Sequence, residues 1–359
     1  MGELEHLFAV HNLHEGMIAL TYILLFLLKV NIAASVDMTV FCQRLDRKAG
    51  IAVGVVCQFV ILPFCGFLIA KLLEMDYLYG MALMVIMTSP GGSYSNWLCS
   101  VFNSDLAMSV AMTGVSTLVG VVMLPVNLTM YGRLLYPEAA MGHHQIVIIF
   151  QALAIILVAL LLGLSISQAL QSEKWRERCV IVANFVGISL LLLSLFASEH
   201  KSRTPVWRKP WTLHVSIAAP IICAIFLSLV ISSLPALKLR KPERVAVVIE
   251  ACYQNPGLAS SIVLAMFKRE IDAGDAIAVP LLYGTYEAIF LVTFCIGAHY
   301  CGWTLVDPNE TSLWEAIRGN YQKRALLQDE DSPRHQPLGT DADSDGPSQV
   351  ELVSKKDPA

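Results

Sequence analysis

Charge is scarce in this sequence. Only 15% of its 359 residues are Asp, Glu, Lys or Arg, where a water-soluble domain carries about a quarter. That deficit excludes an ordinary soluble fold. The charge that remains lies in loops and in the tail, so the net value of −4 gives no footing for a nucleic-acid partner. Paired cysteines are also missing. The nine cysteines, at 42, 57, 65, 99, 179, 223, 252, 295 and 301, are scattered without a CxxC, which indicates neither a zinc site nor a disulfide framework. The N-terminus, "MGELEHLFAVHNLHEG", lacks the basic start of a cleavable signal peptide, so the first apolar span must direct insertion itself. No filter-like repeat points to a channel, and no organic cofactor motif is present.

What the chain has instead is apolar length. It is 55% hydrophobic with a mean hydropathy of +0.60, and its apolar stretches suffice to cross a hydrocarbon core of about 30 Å. The expectation is an all-α polytopic membrane protein with about nine spans, at 17–36, 50–71, 78–99, 106–131, 145–168, 179–197, 212–232, 245–267 and 276–302. An odd count puts the termini on opposite sides. Lys and Arg in short loops set orientation, and "QRLDRK", "EKWRER" and "LKLRKPER" favour an outside N-terminus and a cytoplasmic C-terminus. The basic loop "EHKSRTPVWRK" counts against that assignment. The domain expectation is an extracellular N-terminus over 1–16, a transmembrane domain over 17–302, and a disordered acidic cytoplasmic tail over 303–359. From Asp329 onward the tail has too little apolar surface to fold. Of two glycosylation sequons, Asn127 falls inside the fourth span, too deep for modification. Modification of the other, Asn309, would reverse the orientation.

Two breaks interrupt the apolar pattern: "SPGGSYSN" at 89–96 and "EACYQNPGLASS" at 250–261. Pro63, Pro90 and Pro125 in spans two to four are matched by Pro220, Pro256 and Pro280 in spans seven to nine. Such paired interruptions are the signature of an inverted-repeat transporter whose site lies near the midplane. In lipid an unwound segment survives only where protein or a cavity satisfies its backbone, and proline removes a donor. The breaks at Pro90, Gly91, Gly92, Pro256 and Gly257 therefore free carbonyls suited to sodium and helix N-terminal amides suited to an anion. Ser95 and Asn96 follow the first break with neutral oxygens. Ser109 and Thr113, spaced i, i+4, share a helix face, as do Glu250 and Gln254. A carboxylate at bilayer depth costs at least about 2.5–3.5 kcal/mol on insertion scales. A bound cation offsets that cost for Glu250.

With these residues in view, the sequence over roughly 17–302 resembles the bile acid:sodium symporters. "SPGGSYSN" is similar to that family's PGG-x-x-SN crossing motif, and "EACYQN" to its second signature, Glu-x-Gly-x-Gln-Asn. "DLAMSVAMTGVSTL" and "VGVVCQFVILPFCGF" resemble the flanking helices. The resemblance implies a core domain with two broken crossing helices and a panel domain, with substrate in the cleft between them. It implies one sodium site from Ser95, Asn96, Ser109, Thr113 and Glu250. A second would use Gln58, Glu250 and Gln254 with the main-chain carbonyls of Ala251 and Tyr253. Asn255 matches a substrate-contacting position. Three residues depart from the pattern: Cys252 for glycine, Pro256 for Ser or Thr, and Glu287 for a neutral residue. Glu287 is assigned to substrate binding, with a cation contact or a loop contact as alternatives. Lys29 is expected to snorkel or to pair with Asp37, with a substrate carboxylate as its other possible partner.

The function so implied is sodium-coupled symport of an organic anion, a bile acid or similar steroid conjugate, with two sodium ions and at the plasma membrane. The partners are the anion, sodium and the lipid bilayer. A carrier of a small carboxylate such as pyruvate or pantothenate is the alternative, and a non-transporting receptor a remote one. An intramembrane serine protease would need Ser93 with His214 or His299, and neither histidine stands in a motif.

Overall fold

The computed structural model describes residues 2–35, 48–92, 94–138, 143–170, 172–201, 204–267 and 269–318. A bilayer offers no hydrogen bonds to an open backbone, and every regular element among the described residues is helical. The helices are α1 (Gly2–Ser35), α2 (Lys48–Leu72), α3 (Tyr77–Met87), α4 (Tyr94–Val101), α5 (Leu106–Leu135), α6 (His143–Ala169) and α7 (Glu173–Lys201). They continue as α8 (Trp211–Ser232), α9 (Lys241–Cys252), α10 (Pro256–Met266), α11 (Glu270–Tyr300) and α12 (Leu313–Arg318). Seven of these contain a stretch long and apolar enough to cross a membrane, within α1, α2, α5, α6, α7, α8 and α11.

The two remaining expected spans, 78–99 and 245–267, are each split into half-helices, α3/α4 and α9/α10, at the predicted breaks. The chain is thus a polytopic membrane protein with two broken helices. α1 runs on from Gly2, so the segment 1–16 is helical over its described part. Of the expected tail, residues 303–318 fold back on the core: Leu305 N donates to Asn103 O at 2.8 Å and Asn103 Nδ2 to Ala316 O at 2.7 Å. The remainder of the tail, Asp37, Cys42 and Ser93 lie outside the described residues.

Packing sorts the helices into two groups. α1 packs chiefly on α6 and α7, whereas α2–α5, α8 and α9 pack chiefly among themselves. α10 and α11 join the two groups, α11 lying along α7 as well as against α3, α8 and α10. Within the core the two halves repeat one device. Pro90 at the first break seats against Gly120 of α5, where a methyl would stand 2.8 Å from its Cβ. Pro256 at the second seats against Gly284 of α11, where a methyl would stand 2.9 Å from its Cγ. Each break is therefore wedged by a proline into a side-chain-free notch on the long helix that follows it.

α2 carries a local irregularity with a cause. Residues Cys57–Ile61 form a π turn, and Pro63 has no N–H for the Phe59 carbonyl four residues back. The Asn127 side-chain amide of α5 donates to that carbonyl instead, at 2.8 Å. Asn127, the sequon residue of span four, is only 3% exposed.

Candidate functional site

The two breaks meet. Gly92 N donates to Tyr253 O at 3.1 Å, joining the first break directly to the second. The approach needs glycine, because a methyl at Gly92 would stand 2.2 Å from Gln254 O and 2.7 Å from the Tyr253 ring. Ser89 adds side-chain links: its Oγ donates to Gln254 Oε1 at 3.2 Å and accepts from Asn255 N at 3.3 Å.

Around Glu250 the structure gathers an excess of oxygen. The residue is completely buried at the end of α9. Its Oε2 lies 2.8 Å from Ser109 Oγ and its Oε1 2.5 Å from Thr113 Oγ1, both hydroxyls coming from one face of α5. Ser109 Oγ is also 2.8 Å from Asn96 Oδ1. Thr113 Oγ1 is 3.3 Å from that same amide oxygen and 3.0 Å from Ser109 O. With Glu250 ionised and Asn96 Oδ1 turned toward the hydroxyls, the single proton of each leaves at least one short oxygen–oxygen contact with no hydrogen in it. Ser95 is buried beside them, its hydroxyl 3.1 Å from Gly92 O. Ser95, Asn96, Ser109, Thr113 and Glu250 therefore stand together, as a cation shell of neutral oxygens and one carboxylate requires.

A second polar group gathers around Gly91, beside the same carboxylate. A methyl at Gly91 would stand 2.9 Å from Glu250 Oε1, 3.3 Å from Gln58 Nε2 and 3.3 Å from Ser116 Oγ. Gln58, placed by the π turn of α2, is 1% exposed, and its Nε2 has no hydrogen-bond partner among the described residues. Gln254 Nε2 donates to Ala251 O at 3.1 Å. Ser116 and Ser89 are the members sequence reasoning missed. Ser116 continues the α5 face at i+7 from Ser109 and i+3 from Thr113, so helical periodicity was the available signal.

Asn255 caps α10, its Oδ1 accepting from Leu258 N at 3.0 Å, while its buried Nδ2 has no partner among the described residues. It borders a cleft of about 280 Å³ between the panel and the crossing, walled by α1, α7, both breaks and α11. Leucines of α7 and Leu28 of α1 make most of its surface apolar, and Tyr94, Gln254 and Asn255 supply polar edges. Glu287 takes a different place. It is fully buried in α11 behind the second break, and its Oε2 accepts from Gln254 N at 2.9 Å. Its Oε1 has no hydrogen-bond partner among the described residues. Lys29 does not snorkel: it is 5% exposed and within electrostatic reach of Glu250. His214 pairs with Tyr286 Oη at 2.7 Å, and His299 Nδ1 lies 3.5 Å from Thr304 Oγ1.

Comparison with known proteins decides the family. The model of the Sodium Bile acid symporter family matches residues 22–205. The chain belongs to this family.

Within the symporter family, the matched stretch contains Gln58, the first break and the α5 hydroxyls, while Glu250, the second break and Glu287 lie beyond it. The human ileal sodium/bile acid cotransporter is similar over 277 residues at 28% identity, covering 76% of each chain. The human hepatic sodium/bile acid cotransporter is 26% identical over 279 residues, 75% of this chain and 77% of its own. The mouse P3 protein is 27% identical over 278 residues, but these make up only 56% of its length. The family is one of transporters.

Proposed function

We propose that this protein is a sodium-coupled symporter that carries an organic anion, a bile acid or similar steroid conjugate, into the cell. The observation that carries the reading is the proton-poor oxygen cluster around Glu250, contributed by both breaks and α5. One sodium ion takes Ser95, Asn96, Ser109, Thr113 and Glu250 as ligands. A second takes Gln58, Glu250 and Gln254 with the carbonyls of Ala251 and Tyr253. The substrate enters the largely apolar cleft beside Asn255, which suits a steroid body with a polar end. Glu287 acts behind the cleft by holding the Gln254 amide rather than by lining it.

Orientation follows with an outside N-terminus at the plasma membrane. The basic loop at 199–209 opposes this less than its composition suggests, because Lys209 is buried in an ion pair with Asp275 and is not a free loop charge.

Energetics favour two ions. Each charge gains about 2.3 kcal/mol per 100 mV, and a tenfold sodium gradient adds about 1.4 kcal/mol per ion. At about 60 mV two ions supply roughly 5–6 kcal/mol, and moving a monoanion inward costs roughly 1.4. The remaining ~4 kcal/mol supports about a thousandfold accumulation. Alternating access requires that sodium bind one conformation better than the other. The Gly92–Tyr253 link supplies a route, since ions at the first break also fix the second.

The test is uptake of radiolabelled taurocholate by cells expressing the protein, with sodium or choline outside, for wild type and Glu250→Ala. Sodium-dependent uptake abolished by the substitution is the expected result. Uptake indifferent to both sodium and Glu250 sinks the mechanism. A surface-expressed wild type that ignores taurocholate but takes up pyruvate or pantothenate with sodium would replace the substrate class and keep the ion sites.

A further inference from the structure

The segment Thr204–Pro210 connects α7 to α8 and so bridges the two helix groups. Prolines stand near both ends, with φ of −50° at Pro205 and −59° at Pro210. Between them is one 3-10 turn, Val206–Arg208, closed by Arg208 N to Pro205 O at 3.0 Å. A turn fixed between two prolines has few alternative conformations. Val206 and Trp207 both line the cleft. Val206 is buried, while Trp207 is 62% exposed, so the indole stands at the cleft's mouth.

Lys209 comes next, and its ammonium is turned inward. It meets Asp275 of α11 at 2.5 Å, with the two side chains 1% and 2% exposed. It also lies 3.4 Å from Tyr79 Oη and 5.7 Å from the Tyr79 ring centroid, on α3. The strap therefore leaves α7 and is fastened by Lys209 to α11 and α3. Substituting one member of a buried ion pair is costly, and that cost falls on the contact that holds the strap.

We infer that Val206 and Trp207 form the end wall of the substrate cleft, and that the Lys209–Asp275 pair is the positioning device holding this wall against the core. The wall's position limits the length of anion the carrier accepts. Trp207 is thus a specificity-determining residue that touches the end of the substrate. Lys209 acts through it. This inference rests on the reading of the cleft as an organic-anion site.

The experiment uses the full chain in cells and compares cholate with taurocholate, which share a steroid body and differ in the length of the ionised arm. Initial rates are measured in sodium and normalised to surface protein. Trp207→Ala is expected to lower the KM ratio of taurocholate to cholate at least threefold. Lys209→Met is expected to shift the ratio the same way, and the exchange of Lys209→Asp with Asp275→Lys to restore it. Where Lys209→Met fails to reach the surface, Trp207→Ala decides alone, because it leaves the ion pair intact. A wild-type ratio in Trp207→Ala, with working sodium-dependent uptake, overturns this inference and leaves the symport reading standing. Absence of sodium-dependent uptake of both anions in wild type overturns the symport reading and this inference with it.

Discussion

A single methyl at Gly92 tests whether the two breaks work as one centre. It would point at the backbone oxygen of Gln254, 2.2 Å away, and at the Tyr253 ring, 2.7 Å away. A backbone oxygen has no rotamer by which to withdraw, so Gly92→Ala has to push the second break off the first. That also stretches the 3.1 Å bond from Gly92 N to Tyr253 O. Overpacking costs about 1–3 kcal/mol and a lost hydrogen bond about 1, giving about 2–4 kcal/mol together. At 1.4 kcal/mol per tenfold, this weakens the combined binding of two sodium ions about 30- to 700-fold. Spread over two ions, half-saturating sodium rises about 5- to 25-fold. The assay is uptake against sodium concentration, corrected for surface protein. Gly297→Ala is the control, since a methyl there meets nothing within 4 Å. A Gly92→Ala protein at normal surface level, with half-saturation within about twofold of wild type, would refute the coupling of the breaks.

Two further predictions concern stability. Glu287→Gln keeps an acceptor for Gln254 N, now 2.9 Å from Glu287 Oε2, whereas Glu287→Leu leaves that buried N–H unpaired at a cost of about 1–3 kcal/mol. Thermal unfolding in detergent should rank leucine clearly below glutamine, and equal melting of the two would remove the anchoring role. Asn127→Leu strips the Phe59 carbonyl of its donor and should lower the melting temperature by a similar energy, about 1–3 kcal/mol. Wild type should show no glycan at Asn127 on glycosidase treatment, and a mobility shift traced to that residue would contradict its burial.

Much of the fold was legible because its signals are local. Apolar runs give the long helices, and proline with glycine gives the breaks at 88–92 and 253–255, where the chain does unwind. Glu250 stood out because a carboxylate in an apolar run requires a partner. What stayed hidden was set by tertiary contact. Nothing in "CQFVI" announces the π turn that aims Gln58, since its cause involves a proline downstream and an amide on another helix. Gly120 and Gly284 look like ordinary helical glycines until Pro90 and Pro256 are seated against them. Glu287 was placed at the substrate, but its direction depends on α11's rotation about its axis, and that rotation carries it behind the second break. Lys209 looked like one more basic loop residue because its partner, Asp275, is 66 positions away.

The bond between Asn127 and Phe59 also has a consequence for biogenesis. Its donor lies 68 residues after its acceptor. At about 5–20 residues per second, the ribosome takes roughly 3–14 s to make that stretch. For those seconds α2 exists with an unanswered carbonyl, which pure hydrocarbon penalises. The second span is thus an unfinished membrane helix when it emerges, and it is completed only when the fourth arrives beside it.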